Sequence, residues 1–140
     1  MGHSTNIYGI ISFPSHPSSD NIWLDNMKVI QELPDHDEEY PAMSNKMFSK
    51  EFQPGWEERH IHFAANYKNL EFDRLQEWVG RFERLLSKLM WYSAAAQIET
   101  DISGDFEIYW NIEPKDIADE WTNGQWVPTT RWRSDGLIKK

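Results

Sequence analysis

The chain has 140 residues, a formal net charge of −9 and no cysteine. That length predicts a single domain over residues 1–140, and the lack of cysteine excludes a disulfide framework, a thiol nucleophile and a thiolate zinc site. Eight Trp, seven Phe and five Tyr supply large apolar side chains, so a core is expected although hydrophobic residues make up only 39% of the chain.

The acidic balance indicates which partners to expect. A negative surface repels phosphate backbones, so we expect no direct binding of nucleic acid. Excess acid is also typical of soluble proteins, and the sharper interpretation is a basic partner. No apolar run approaches the ~20 residues of a membrane span, and the N-terminus lacks a basic start followed by an apolar stretch. We therefore expect a cytoplasmic protein without membrane contact.

The first 34 residues predict a strand followed by a helix. Residues 6–14, rich in Ile and aromatics and ending at Pro14, are typical of a buried strand. Ser18 or Ser19 can cap a helix that Pro34 stops. Apolar residues recur at helical spacing between them: Trp23, Met27, Ile30 and Leu33.

Residues 35–56 have no clean period and predict a long loop, with a short strand near 45–49 as an alternative. The loop opens with the acidic run "DHDEEY" at 35–40. Residues 58–68 predict a strand, because apolar side chains alternate with polar ones. Ile61, Phe63, Ala65 and Tyr67 fall on one face, and His60, His62, Ala64 and Asn66 on the other.

The strongest helix signal covers residues 71–91, where Glu77 and Arg81 form a favourable i,i+4 ion pair. Its apolar stripe comprises Phe72, Leu75, Trp78, Val79, Phe82, Leu85, Leu86 and Leu89. Residues 93–112 predict two strands joined near Asp101–Asp105, with Gly104 permitting a tight turn. In the second strand Phe106, Ile108, Trp110 and Ile112 point inward, and Glu107, Tyr109 and Asn111 point outward.

The order of elements predicts the fold class. Strands mixed with two main helices favour an α+β domain, in which an antiparallel sheet carries both helices on one face. A ferredoxin-like or split-βαβ topology is the nearest named arrangement. The core is expected over about 6–113, with a Trp-rich tail at 114–140 packed on it. That tail contains a candidate short helix at 115–121 and Trp121, Trp126 and Trp132.

No motif for catalysis is present: there is no Gly-x-Ser-x-Gly elbow, no glycine-rich phosphate loop and no zinc-protease helix motif. His60 and His62 share a strand face and could both reach one metal, with Glu99 and Glu107 as further ligands if their strands pair suitably. The favoured interpretation is that His60 and His62 are strand residues that face solvent or a partner. The carboxylates Asp101 and Asp105 are typical turn residues. We expect no catalytic residues, no metal and no cofactor.

Four segments give the chain a family resemblance: "YPAMSNKMF" (40–48), "HIHFAANYKNLE" (60–71), "WVGRFERLLSKLMWYSAAAQIET" (78–100) and "GDFEIYW" (104–110). In order and texture, over roughly residues 7–112, the chain resembles predicted immunity proteins of bacterial polymorphic toxin systems. Some families of this kind accompany nuclease toxins, so the resemblance implies a cognate toxin as the partner.

The physical argument agrees, because an acidic inhibitor suits the basic cleft of a nuclease. The expected function is a non-enzymatic immunity protein that neutralises a cognate toxin. The alternatives are a small-ligand or metal-dependent enzyme using the polar sheet face, and a structural or assembly subunit. The expected partner-binding residues lie in the acidic loop and on the outward sheet face: Asp35, Asp37, Glu38, Glu39, Tyr40, Trp56, His60, His62 and Tyr109.

Overall fold

Five strands and two α-helices make up most of the regular structure in the part of the chain that can be described. The computed structural model describes residues 3–14, 19–49, 58–113 and 127–140. In chain order the elements are β1 (Ser4–Pro14), α1 (Ser19–Gln31), β2 (Glu58–Lys68), α2 (Phe72–Leu86), β3 (Ser93–Thr100), β4 (Asp105–Asn111) and β5 (Ile138–Lys139). Within these ranges, neither helix has the length and apolar character needed to cross a membrane.

The strands form one sheet in the order β2-β1-β3-β4-β5, and every neighbouring pair is antiparallel. Because β2 and β3 both run antiparallel to β1, they are parallel to each other, and α2 connects them across the intervening strand. The predicted α+β class is confirmed, and this arrangement is compatible with a split-βαβ topology.

The core lies between the helices and one face of the sheet. Most alternate residues of the four long strands are buried there, as the alternation predicts, and Phe82 of α2 lies at the centre. Its ring lies 4.8 Å from that of Phe63, 5.0 Å from that of Trp78 and 5.0 Å from that of Trp110, measured between centroids. These aromatic contacts join α2, β2 and β4 in one hydrophobic cluster on that face.

The second helix ends at Leu86, so its predicted extension to residue 91 is wrong. The apolar residues beyond it are buried, but their main chain is bonded to distant side chains. The amide of Asn26 exchanges two hydrogen bonds with the main chain of Met90, each 2.9 Å long. The hydroxyl of Thr129 accepts from the N–H of Trp91 and donates to its carbonyl. These partners replace the bonds that another helical turn would have made.

The alternative of a short strand at 45–49 is also wrong, because Asn45–Met47 form a single turn of 3-10 helix. The turn contacts β2 through Met47, whose sulfur lies 3.5 Å from the hydroxyl of Tyr67, and the residues after it bond to the sheet main chain. Phe48 forms an isolated bridge with Phe63, and the N–H of Ser49 donates to the carbonyl of His62 at 2.8 Å. This contact covers part of the outer edge of β2.

The end of the chain returns to the sheet. Trp132 packs on Trp91 with ring centroids 5.9 Å apart. Its indole N–H and that of Trp110 both donate to one carboxylate oxygen of Glu83, at 3.3 and 3.2 Å. Trp121, Trp126 and the candidate helix at 115–121 lie outside the described residues.

Candidate functional site

The sheet face opposite the helices is the main candidate surface. Register places its side chains in rows across β1, β3 and β4. One row holds Asn6, Glu99 and Asp105; the next holds Tyr8, Gln97 and Glu107; the third holds Ile10, Ala95 and Tyr109. The helices do not cover this face, because both contribute to the core on its other side.

Acidic and aromatic side chains gather on this face across β1, β3 and β4. We call Tyr8, Glu99, Asp105, Glu107 and Tyr109 the acidic-tyrosine patch. The hydroxyl of Tyr8 donates to a carboxylate oxygen of Glu99 at 2.7 Å, and that of Tyr109 donates to Glu107 at 3.0 Å. The two rings remain 40% and 41% exposed. The patch thus presents oriented aromatic rings beside negative charge.

The neighbouring carboxylates raise the pKa values of Tyr8 and Tyr109. The hydrogen bond to Glu99 raises the pKa of the Tyr8 hydroxyl above its ordinary value, and desolvation and the charges of Glu99 and Asp105 add to the effect. The bond to Glu107 likewise raises the pKa of Tyr109. Both hydroxyls therefore remain protonated donors at neutral pH, which keeps the rings tied to their acidic neighbours.

The histidines occupy the other half of the face, on β2. His60 and His62 are exposed, their ring centroids lie 6.0 Å apart, and Nδ1 of His60 lies 2.8 Å from the hydroxyl oxygen of Ser12. The strand order separates β2 from β4 by three strand spacings, about 14 Å. His60 and His62 therefore do not converge with Glu107, and the described ranges contain no group of three His, Asp or Glu side chains that could hold a metal ion.

Arg81, which the sequence analysis paired with Glu77, holds the acidic loop instead. Arg81 donates to the carboxylate of Asp37 and to the main-chain carbonyls of Glu39 and Pro41. The predicted pairing of Arg81 with Glu77 is wrong; Glu77 lies 3.4 Å from the guanidinium of Arg74 instead. We call the contacts of Arg81 with this loop the Arg81 clamp.

Asp37 lies almost inside the protein, with 11% of its side chain exposed. Its carboxylate also accepts the main-chain N–H groups of Glu39 at 3.1 Å and Met43 at 2.9 Å. Burial by itself raises the pKa of Asp37, but these hydrogen bonds and the Arg81 charge outweigh it and hold that pKa below its ordinary value. Asp37 thus stabilises the loop.

Two further members of the predicted site have internal partners. A carboxylate oxygen of Asp35 accepts from the Asn45 amide at 2.6 Å. The hydroxyl of Tyr40 donates to the carbonyl of Lys68, and the guanidinium of Arg74 lies 4.8 Å above its ring. Glu38 and Glu39 are exposed, as Asp35 also is, and the carboxylate of Glu39 lies 3.9 Å from the guanidinium of Arg81. Trp56 lies outside the described residues.

The sequence did not reveal a cleft at the outer edge of β4. Its volume is about 370 Å³, and it forms where the chain after Arg133 leaves the sheet before rejoining it as β5. Its lining residues are Tyr109, Asn111, Ile112, Glu113, Arg133, Ser134, Asp135 and Ile138. Directly opposed residues share a face, so Arg133 and Ile138 lie on the same side as Asn111 and Glu107. The cleft therefore continues the open sheet face.

Comparisons with known protein families, with curated proteins and with solved structures find no match. The resemblance to immunity proteins therefore rests on the sequence pattern. The site must be interpreted from its own geometry: a sheet face that neither helix covers, with an acidic-tyrosine patch, a clamped acidic loop and an edge cleft.

Proposed function

We propose that this protein is a non-enzymatic immunity protein that binds and neutralises a cognate bacterial toxin. The acidic-tyrosine patch is the observation that carries the proposal, and the sequence resemblance supplies the class of partner. A nuclease toxin suits the proposal, because an enzyme that attracts phosphate presents a basic cleft.

Charge supports the choice of a basic partner. The patch holds three carboxylates in two adjacent rows, and the chain as a whole carries a net charge of −9. The nearest described cation is Lys140, whose ammonium nitrogen lies 4.0 Å from Glu107 at the sheet edge. Complementary potentials of this kind accelerate association and disfavour wrong partners.

The tyrosines supply the anchors. Tyrosine is enriched among the residues that dominate binding energy at protein interfaces. Tyr8 and Tyr109 are exposed yet held by hydrogen bonds, so less rotational entropy is lost when a partner packs on them. A sheet face with oriented aromatic rings is suited to contact with a protein surface.

The clamped loop is a second contact candidate on the same proposal. Glu38 and Glu39 extend outward from a loop that Asp35, Asp37 and Tyr40 hold in place. An ordered loop positioned by a rigid scaffold is a common binding element. His60 and His62 would meet a partner that spans the full width of the sheet face.

The test is co-expression in bacteria with the toxin encoded beside this gene. Wild-type protein is expected to protect growth and to bind the purified toxin. Tyr109→Ala is expected to weaken binding by about thirtyfold, the effect of losing a 2 kcal/mol hot spot. Failure of the wild-type protein to protect growth refutes the proposal.

Charge variants locate the surface. Glu99→Gln combined with Glu107→Gln keeps oxygen acceptors for both tyrosines while removing two charges. The matched control, Glu32→Gln with Asp73→Asn, removes two charges from exposed positions, one directly after α1 and one in the first turn of α2. The patch variant is expected to associate about tenfold more slowly at low salt, and the difference should shrink at high salt. Equal association rates for the two variants would place the contact elsewhere.

A further inference from the structure

Judged on the described residues, the edge cleft combines main-chain groups and charged side chains that have no partner. Asn111 exchanges two main-chain hydrogen bonds with Arg133, at 3.0 and 2.7 Å, on the side of β4 that faces away from β3. Alternate residues of a strand direct their N–H and C=O groups to the same side, so those of Tyr109 also face away from β3. The next pairing on this edge joins Glu107 to Ile138. Among the described residues, Tyr109 has no main-chain partner there.

Charged side chains of both signs surround this gap. Arg133 and Asp135 are exposed, Glu113 is partly exposed, and all three line the cleft. Within the described ranges, none of these side chains forms an ion pair or a hydrogen bond. The cleft therefore offers one guanidinium and two carboxylates to a ligand, in addition to one main-chain donor and one main-chain acceptor.

The cleft also has an apolar wall. The ring of Tyr109 and the side chain of Ile138 are each about two-fifths exposed, and Ile112 adds apolar surface. The volume of about 370 Å³ lies at the small end of the range for ligand pockets. A compact molecule with an apolar group and both charges would match these features.

We propose that this cleft binds a free α-amino acid with an apolar side chain. The ligand's ammonium and carboxylate flank a single carbon, as the N–H and C=O of a strand residue do. Its carboxylate accepts from the Tyr109 N–H and pairs with Arg133. Its ammonium donates to the Tyr109 carbonyl and pairs with Asp135 or Glu113, while its side chain packs on Ile138. The site shares Tyr109 with the proposed toxin-binding surface, but binding of the amino acid is tested on the protein alone, without a toxin.

The first experiment is a titration of the full ¹⁵N-labelled chain with L-phenylalanine, followed by NMR. We expect saturable shifts at the amides of Tyr109 and Arg133, with a dissociation constant of about 1 mM or tighter, and slower hydrogen exchange at Tyr109. Two analogues separate charge from shape: 3-phenylpropionate lacks the ammonium, and N-acetyl-L-phenylalanine amide lacks both charges. Each should bind about tenfold more weakly or worse.

A variant pair tests the assigned contact. Arg133→Gln is expected to weaken binding by about tenfold, because a charge-assisted bond is lost. Arg84→Gln, an exposed arginine of α2, removes the same charge elsewhere and should bind as the wild type does. The proposal is overturned by the absence of saturable shifts at Tyr109, by equal binding of the uncharged analogue, or by Arg133→Gln binding as tightly as the control.

Discussion

Replacing Arg81 with methionine tests whether the acidic loop depends on the Arg81 clamp. Methionine keeps much of the length of the arginine stem but removes the bonds to Asp37 and to the carbonyls of Glu39 and Pro41. The side chains of Arg81 and Asp37 are only 19% and 11% exposed. The carboxylate would therefore stay mostly buried with two main-chain N–H donors and no cation.

Removing one partner of a buried ion pair costs about 3–5 kcal/mol of unfolding free energy. We expect the lower end, about 3 kcal/mol, because Asp37 keeps the N–H donors of Glu39 and Met43. For a chain of this size that corresponds to a fall in melting temperature of about 10 °C. Asp37→Asn removes both the charge and the attraction, and should cost less, about 1–2 kcal/mol.

The pKa of Asp37 gives the expected pH dependence. Its folded pKa lies below its unfolded value, so the unfolded chain binds the proton more readily. The stability that Asp37 contributes is fully present above the unfolded pKa, about 3.9. It is lost as the pH falls through the depressed folded pKa. The difference in stability between the wild type and Asp37→Asn should therefore be constant from neutral pH to about pH 5 and shrink below pH 4.

Thermal and urea unfolding, followed by circular dichroism, measure both effects. Arg84→Met is the matched control, since Arg84 is an exposed residue of the same helix. If Arg81→Met destabilises the protein no more than this control does, the clamp contributes nothing measurable. A gap between the wild type and Asp37→Asn that stays constant below pH 4 would contradict the pKa argument.

Further variants test the core. Gly9→Ala should lower the free energy of unfolding by about 3 kcal/mol or more, because the new Cβ would lie 1.9 Å from the carbonyl oxygen of Ala95. Gly80→Ala should raise it by about 0.5–1 kcal/mol, since no atom lies within 4 Å of the new Cβ. Urea unfolding of both variants measures these changes, and a change in the same direction for both would contradict the prediction. Tyr67→Phe should cost about 2 kcal/mol, because the indole N–H of Trp78 loses its acceptor. The same variant removes the tyrosine whose pKa burial raises to about 12, so absorbance titration should lose its highest transition.

Local patterns predicted four of the five strands, and they placed the end of α1 within one turn of where it lies. The alternation in β2 and β4 has a period of two, so it specifies the buried face without knowledge of the neighbouring strands. The end of α2 could not be predicted in this way. Asn26 and Thr129, which bond the main chain of Met90 and Trp91, lie 64 and 38 residues away in the sequence. Periodicity continued past Leu86, and tertiary hydrogen bonds ended the helix.

The candidate site was less predictable, because it depends on strand order. The sequence placed Tyr109, His60 and His62 on outward faces, which the register confirms. It could not bring Tyr8 beside Glu99, since these residues are 91 positions apart and meet only because β1 lies next to β3. The Arg81 clamp joins residues 44 positions apart, and no local pattern indicates it.

Net charge alone therefore says little about where a basic partner would bind. Asp37 and Glu83 each count as one negative charge, yet the carboxylates of both accept hydrogen bonds from donors within the protein. Glu99 and Glu107 also accept hydrogen bonds, but from exposed tyrosines, so their charge remains at the surface. A carboxylate that is bonded inside the protein is not available to bind a partner. A carboxylate beside an exposed tyrosine is available, and the tyrosine ring adds an anchor next to it. For this reason the acidic-tyrosine patch is a better candidate for the contact surface than the most acidic run of the sequence.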